Sequence, residues 1–333
     1  MNPYHLTPED EFSHSPTSDS NFNESVYVNG FDAERRFGGW MRIGNRVNEA
    51  HAEAQVCIYL PDGRIACQFL RPEITDNEAF AAGGMEYRVI EPMKRVAMSF
   101  EGELMVLEDP ALLREPRRLF VEAPRLPGRI TYELEGVSPV HGGTPIDDEQ
   151  DTMYGRDFSL GHFFQHARTV GRISVGDESW EFEGFGWRDH SWGPRYWTNI
   201  HYYRLLIANF GADRAMMLLK ITGRDGVTRR HGVLQIGTDY EQITDLDLFT
   251  DWTDAKDPAS IQLGVRTDNR AVRMSGRVLR LAPLKNRRKV NGEVLQSRIA
   301  EGLTEWDWDG RKGIGMTEYI EFLEDGEPVG YPL

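Results

Sequence analysis

The segment 184–197 reads GFGWRDHSWGPRYW and sets an acid, Asp189, beside an imidazole, His190, among three tryptophans, two arginines and three glycines. His162 and His166 lie a short way upstream in GHFFQHARTVGRISV, and His201 follows in NIHYYR. A carboxyl group and imidazoles held together can give and take protons near neutral pH, the equipment of general acid–base catalysis. Burial would raise the pKa of Asp189 and a neighbouring imidazolium would lower it, so its surroundings decide its protonation. The same residue types ligate metals, yet the chain has no HExxH and no paired-cysteine spacing, and no metal is expected. The plainer alternative makes Trp187 and Trp192 core residues and Asp189 a turn cap held by Arg188 or Arg195.

A hairpin decides which of these groups can meet. ISVGDESW places Gly176 at the first central position of a two-residue turn, where a type II′ turn needs glycine. Val175 then faces Glu178, Arg172 faces Glu181 as an opposite-charge pair, and Ile173 faces Trp180. Extended without a bulge, the same register sets His166 opposite Trp187 and Phe164 opposite Asp189. His162 and His166 become diagonal neighbours of Asp189, roughly 7–8 Å away. Alternation collects His162, Phe164, His166, Trp187 and Asp189 on one face and sends Gln165 and Arg188 to the other. A bulge at Gly184 or Gly186 would shift this by one residue.

The elements that must carry these residues are strands. AEAQVCIYL, the turn Pro61-Asp62-Gly63-Arg64 and IACQFL form a second hairpin, and β-type runs recur to the C-terminus with one short helix expected near 110–117. Closely spaced strands without βαβ alternation indicate an all-β chain of sandwiches or barrels. Residues 1–22, polar and without apolar periodicity, are expected to be a flexible or loosely draped arm. Both halves end in a Trp/Gly-rich stretch, FGWRDHSWG and WDWDGRKGIGMTEY, and Gly193-Pro194 breaks the chain between them. The expected division is therefore an arm over 1–22 and domains over 23–194 and 195–333.

The 333 residues carry 38 basic and 53 acidic side chains, a net charge of −15 that disfavours nucleic acid and anionic membrane as partners. The first ten residues have neither a basic nor an apolar stretch, and no run is long enough to span a bilayer, so a cytoplasmic protein with Cys57 and Cys67 reduced is expected. No Walker loop, dinucleotide fingerprint or GxSxG elbow is present. GRKGIG lacks the strand–turn–helix setting of a nucleotide loop, so no cofactor is expected, and a homodimer is left open.

GFGWRDHSWGPRYW resembles the aromatic-x-Asp-His-x-Trp-Gly-Arg signature of the carotenoid hydratase (hydroxyneurosporene synthase)/AttH-like superfamily. NESVYVNGFD, GGWMRIGNRVNEA, YLPDGR, EYRVIEPMKRVAMSFEGEL, HFFQHARTVGRISV and WDWDGRKGIGMTEY are similar to its bacterial branch, over about residues 23–322. The resemblance implies two lipocalin-like antiparallel β-barrels in tandem, an apolar pocket and chemistry without redox cofactors, as in hydratases and in pericyclic or terpenoid cyclases. An aspartate in an aromatic-x-Asp setting is the proton donor proposed for the hydratases. That role carries over to Asp189, with Trp187 where those relatives often have tyrosine.

The expected function is acid–base chemistry of lyase, hydratase, dehydratase or isomerase type on a hydrophobic terpenoid or aromatic molecule in a barrel cavity. The alternatives are a Diels–Alderase-like cyclase, a non-catalytic lipocalin-like carrier, and a β-sandwich module binding sugar or protein. Asp189, His166, His162 and His190 are the candidate catalytic set. Trp187, Trp192, Phe164, Gln165, Tyr196, His201 and Tyr203 are candidate substrate contacts, and Arg195 could hold an anionic or phenolate group. Glu318 is a second candidate acid from the far domain, and Arg42 belongs to a polar set with Asn45 and Glu49.

Overall fold

Two tight turns join strands whose apolar residues alternate. Gly63 (φ +107°) and Gly176 (φ +58°) take left-handed conformations at the two hairpins read from the sequence. A computed structural model describes residues 3–147, 152–156, 158–290 and 293–333. The segment 142–155, GGTPIDDEQDTMYG, reads from sequence as a polar loop and lies partly outside these. The chain forms two compact units, one of Met1–Pro61, Ile65–Val106 and Pro124–Trp197, the other of Asp62–Arg64, Leu107–Ala123 and Thr198–Leu333.

The first unit is built from β1 (Phe22–Asp32), β2 (Phe37–Arg46), β3 (His51–Tyr59), β4 (Ile65–Leu70), β5 (Arg95–Leu107), β6 (Arg125–Gly136), β7 (Gly161–Val175) and β8 (Glu178–Pro194). Along this series each strand pairs with the next and β8 returns to pair with β1, so these eight close into a ring, with a further strand at Met85–Glu91 also pairing with β5. Its inner face is filled by Val26, Val28, Met41, Ile43, Val56, Ile58, Ala167, Ile173 and Phe182, among others. Cys57 and Cys67 face each other across β3 and β4 as buried thiols, and burial pushes Cys67 up to about 12, which makes it unreactive.

The second unit continues with β9 (Ile200–Asn209), β10 (Arg214–Gly223), β11 (Thr228–Ile236), β12 (Asp239–Gln242), β13 (Asp245–Trp252), β14 (Pro258–Arg266), β15 (Ala271–Val290), β16 (Glu293–Trp308) and β17 (Arg311–Glu324). The sheet order is β12-β11-β10-β9-β17-β16-β15-β14-β13, all antiparallel. The two ends of that path are consecutive in the chain. The joining residues stitch them, Ile243 N–H donating to Gly232 O and Thr244 N–H to Arg266 O. Its core holds Leu206, Ala208, Leu218, Leu234, Trp306 and Tyr319. The short helix expected near 110–117 is a 3-10 turn over Pro110–Arg114 followed by an α-helix over Pro116–Glu122. No helix among the described residues is long and apolar enough to cross a membrane.

The arm is anchored rather than loose. Tyr4–His5 pairs with a strand at His141–Pro145, Glu11 is fully buried against Arg188, and His14 stacks on Trp192 at 3.9 Å. Composition predicted mobility because the arm has few apolar residues, but polar anchors hold it. The division at 194/195 also differs in detail, since 195–197 belong to the first unit.

Glycines in 184–197 serve close packing. A Cβ on Gly184 would strike the carbonyl of Phe31, and one on Gly186 the carbonyl of Asn29. Gly186→Ala should therefore destabilise the first barrel by about 1–3 kcal/mol or more. The check is thermal unfolding, with a lowered midpoint expected, while Gly63→Ala, which meets no atom within 4 Å, should show only the smaller cost of its backbone conformation.

Candidate active site

The β7–β8 register is unshifted over its whole length, with Val175 opposite Glu178, His166 opposite Trp187, Phe164 opposite Asp189 and His162 opposite Ser191. Neither Gly184 nor Gly186 introduces a bulge between these two strands. Alternation therefore gives each strand two chemically different faces. The even positions of β8 turn inward with the core, and the odd positions turn outward.

On the outer face His162 Nε2 lies 3.8 Å from Asp189 Oδ2, an ion-pair distance just beyond a hydrogen bond. His162 is 2% and Asp189 8% exposed, and among the described residues His162 Nε2 makes no hydrogen bond. A continuous run of rings flanks them. Tyr154 meets His162 at 4.5 Å, His162 meets Phe164 at 5.6 Å, Phe164 meets Trp187 at 5.7 Å, and Trp187 meets His166 at 5.1 Å. His166 also stacks on Phe185 at 5.7 Å. His166 is thus walled in by aromatic rings, and His162 is the imidazole beside Asp189.

Arg195 enters this face from the end of β8. Its Nη2 donates to Ser191 Oγ at 2.8 Å, and its guanidinium lies 4.7 Å from the Phe158 ring centroid. Burial, with the neighbouring cations Arg42 and Arg46, lowers its pKa to about 10, against an opposing pull from Tyr154 and Asp189. Among the described residues its Nε has no hydrogen-bond partner. Arg42 shares the face, in register with Tyr27 and so with Asp189, and donates to Glu53, Gln55 and Asn23. Three buried or half-buried arginines thus gather locally in a protein of strongly negative charge, a field suited to an oxyanion.

Other candidates fall elsewhere. His190 points inward, its Nε2 3.0 Å from Glu24 Oε1. Burial opposes the charge on Glu24, but hydrogen bonds from His14 and His190 outweigh it and hold the carboxyl at about 2. Trp192 also faces inward, against Phe22 and Phe163. Gln165 is an inner-face residue that accepts from Arg188 Nε at 2.9 Å and donates to Ser138 O at 2.7 Å. Tyr196 is exposed, with Asp19 as its partner at 3.4 Å. The sequence reading joined Asp189 and His190 because they are adjacent, and adjacency in a strand is what separates them. By the same alternation Asp189 lies on the face of β8 opposite the apolar core of the first barrel.

Tyr154, Asn23, Ser191 and Arg46 were not singled out from sequence. Tyr154 comes from a loop, where no periodicity marks a side chain's direction, and Ser191 looks like a spacer until its place opposite His162 is known.

In the second unit a bulge between Ile200 and Tyr202 breaks the alternation that would have set His201 and Tyr203 on one face. His201 Nε2 sits 4.0 Å from Glu324 and Tyr203 is buried. Glu318 stands directly opposite Glu301 on β16 and opposite Leu205 on β9. Burial first, and then the charge and hydrogen bond of Glu318, raise the Glu301 pKa well above 4.5. Two facing acids in an apolar setting hold a proton between them.

A family model for the domain of unknown function DUF7064 and several solved structures bear on this arrangement. The fold is that of the AttH-like lipocalin-fold proteins. A protein from Nitrosomonas europaea assigned as an AttH shares it with a TM-score of 0.55 and 14% identity, over 96% of this chain and 98% of that one. CghA with Sch210972 has a TM-score of 0.57 and 12% identity, over 98% of both chains. Kievitone hydratase from Nectria haematococca has a TM-score of 0.55 and 7% identity, over 96% of this chain and 97% of that one. At these identities the likeness is one of fold. The DUF7064 model matches residues 7–322, and the chain belongs to that family. Among curated proteins none matches the chain in sequence.

Because the folded pKa of Glu301 is raised, its contribution to stability is complete below about 4.5 and is lost as pH rises through the folded value. Glu301→Gln keeps the shape and hydrogen-bonding capacity of the protonated acid. Thermal melts over a pH series should show the wild type losing stability on the alkaline side, with the Gln variant flatter and more stable there.

Proposed function

We propose that the protein is a lyase-like enzyme that moves protons to and from a hydrophobic substrate on the outer face of its first barrel. The observation that carries this reading is the Asp189–His162 pair, 3.8 Å apart, buried, and set against an unbroken aromatic wall. A pair that served only to hold the fold would be expected to close to a full hydrogen bond, because an unmade bond in a buried site is costly. A gap next to an uncommitted imidazole nitrogen leaves a place for a reacting atom.

In the hydration direction the pair delivers a proton to an alkene carbon, and the cation that forms is stabilised by the π-faces of Phe164 and Trp187. Water then adds, and its proton returns to the pair. The reverse sequence is a dehydration, and an internal carbon nucleophile in place of water makes it a cyclisation. Arg195, with an uncommitted Nε and a lowered pKa, suits a carbonyl, phenolate or carboxylate oxygen on the substrate. Relatives of the same fold include a hydratase and CghA, which makes acid–base chemistry on organic molecules a natural assignment for the site.

The test is the pair itself. Native mass spectrometry of the purified chain identifies a bound small molecule, and turnover is then measured on that compound. Asp189→Asn should lower turnover about 10²-fold or more, with binding and melting temperature nearly unchanged. A non-catalytic carrier would show no turnover to lose. Near-full turnover together with a sharp fall in melting temperature would make Asp189 a structural residue and end this assignment.

A further inference from the structure

The inner end of β8 carries a second cluster that the proposed chemistry does not use. His14 from the arm, Glu24 from β1 and His190 from β8 bring Nδ1, a carboxylate oxygen and Nε2 within 4.8 Å of one another. His14 Nδ1 is 2.7 Å from Glu24 Oε1, and His190 Nε2 is 3.0 Å from the same oxygen. Glu24 and His190 are fully buried, and His14 is largely so.

The surrounding hydrogen bonds fix how His14 and Glu24 present themselves. Asp10 Oδ1 lies 3.2 Å from His14 Nε2 and takes its proton, while Asp10 Oδ2 is itself held by the Thr7 N–H and hydroxyl. With its proton on Nε2, a neutral His14 directs the Nδ1 lone pair at a carboxylate oxygen. Two acceptors at 2.7 Å repel unless a cation joins them, either a second proton on the ring or a metal ion. The other oxygen of Glu24 is committed elsewhere, to the His14 N–H at 2.9 Å and to Asn77 Nδ2 at 2.6 Å. A carboxylate behind the imidazole and fixed donors behind the ligating carboxylate are the supports that orient metal ligands in proteins.

We propose that His14 Nδ1, Glu24 Oε1 and His190 Nε2 form a site for a divalent first-row transition metal of the zinc class, fastening the N-terminal arm to the first barrel. Two imidazoles and a carboxylate suit such an ion, whose bonds of roughly 2.0–2.2 Å need only sub-ångström movements of these atoms. Alternation places the site on the opposite face of β8 from Asp189, so it is separate from the acid–base pair. Its role is structural. The arm has little apolar surface to bury, and a metal cross-link would hold it where hydrophobic contact cannot.

The experiment uses the full chain, stripped with chelator, dialysed and titrated with Zn²⁺, and in parallel with Co²⁺ as a spectroscopic probe. One equivalent of Zn²⁺ should be retained through gel filtration, Co²⁺ should give visible d–d absorption, and Zn²⁺ should slow proteolysis within residues 1–22. His14→Ala should abolish retention while its near-UV circular dichroism matches wild type. Asp10→Asn, which leaves the three ligands in place, should weaken binding about 10- to 100-fold. Failure of the wild type to hold stoichiometric Zn²⁺, or undiminished retention in a folded His14→Ala variant, overturns the proposal and leaves a proton as the cation between His14 and Glu24.

Discussion

The unshifted pairing of β7 with β8 is the constraint on which the rest of the first unit depends. Fifteen consecutive residue pairs keep one register from Val175–Glu178 to Gly161–Trp192. Along that ladder every side chain's face is set by parity alone. One face becomes the barrel interior and the other becomes a buried wall of rings around Asp189 and His162. A slip of one residue would exchange Asp189 with His190 and Trp187 with Arg188, turning Asp189 inward and taking Arg188 away from its inner partner Glu11. The glycines at 184 and 186 protect the register by letting β8 approach β1 closely.

Burial of charge is the main cost of this architecture, and both units meet it with paired ions on their inner faces. In the first, Arg188 pairs with Glu11, which also accepts from Tyr87 and from the Met93 N–H. In the second, Arg204 pairs with Glu321, stacks over Tyr319 at 4.0 Å, and shares the carboxylate with Arg298. Breaking either pair would strand a buried charge, which is far more costly than the pair's own modest net worth. These inner networks pair each carboxylate with an arginine, though Arg188 Nη2 and Arg204 Nε make no hydrogen bond among the described residues. On the outer face of the first unit, too, Arg195 Nε, Arg46 Nη1 and His162 Nε2 keep hydrogen-bonding capacity that none of the described residues fills. Unfilled capacity in a buried place is where a ligand earns its binding energy.

Membership of the DUF7064 family and a fold shared with AttH-like proteins narrow the architecture more than the chemistry. One tandem-barrel scaffold carries a hydratase at 7% identity and CghA at 11% identity. What passes between such distant chains is the fold, while the reaction follows from the few groups set on it. In this chain the groups we propose for that part are an acid, an imidazole, an arginine and a run of rings.

The sequence by itself determined the all-β class, the hairpins at Gly63 and Gly176, and the grouping of His162, Phe164, His166, Trp187 and Asp189. All of these follow from short-range rules: turn glycines fix a register, and a register fixes parity. Only the tertiary structure decided which of the two faces is inside, because both are rich in buried residues and alternation carries no sign. For the same reason only the fold separated His190 from Asp189 and gave it to Glu24. It alone brought Tyr154 from a loop to His162, and His14 and Glu11 from the arm to the barrel, since such contacts join positions far apart in the chain with no periodic pattern to announce them. The arm's composition concealed its anchoring, because two or three buried polar bonds can fix a segment whose apolar content would leave it free.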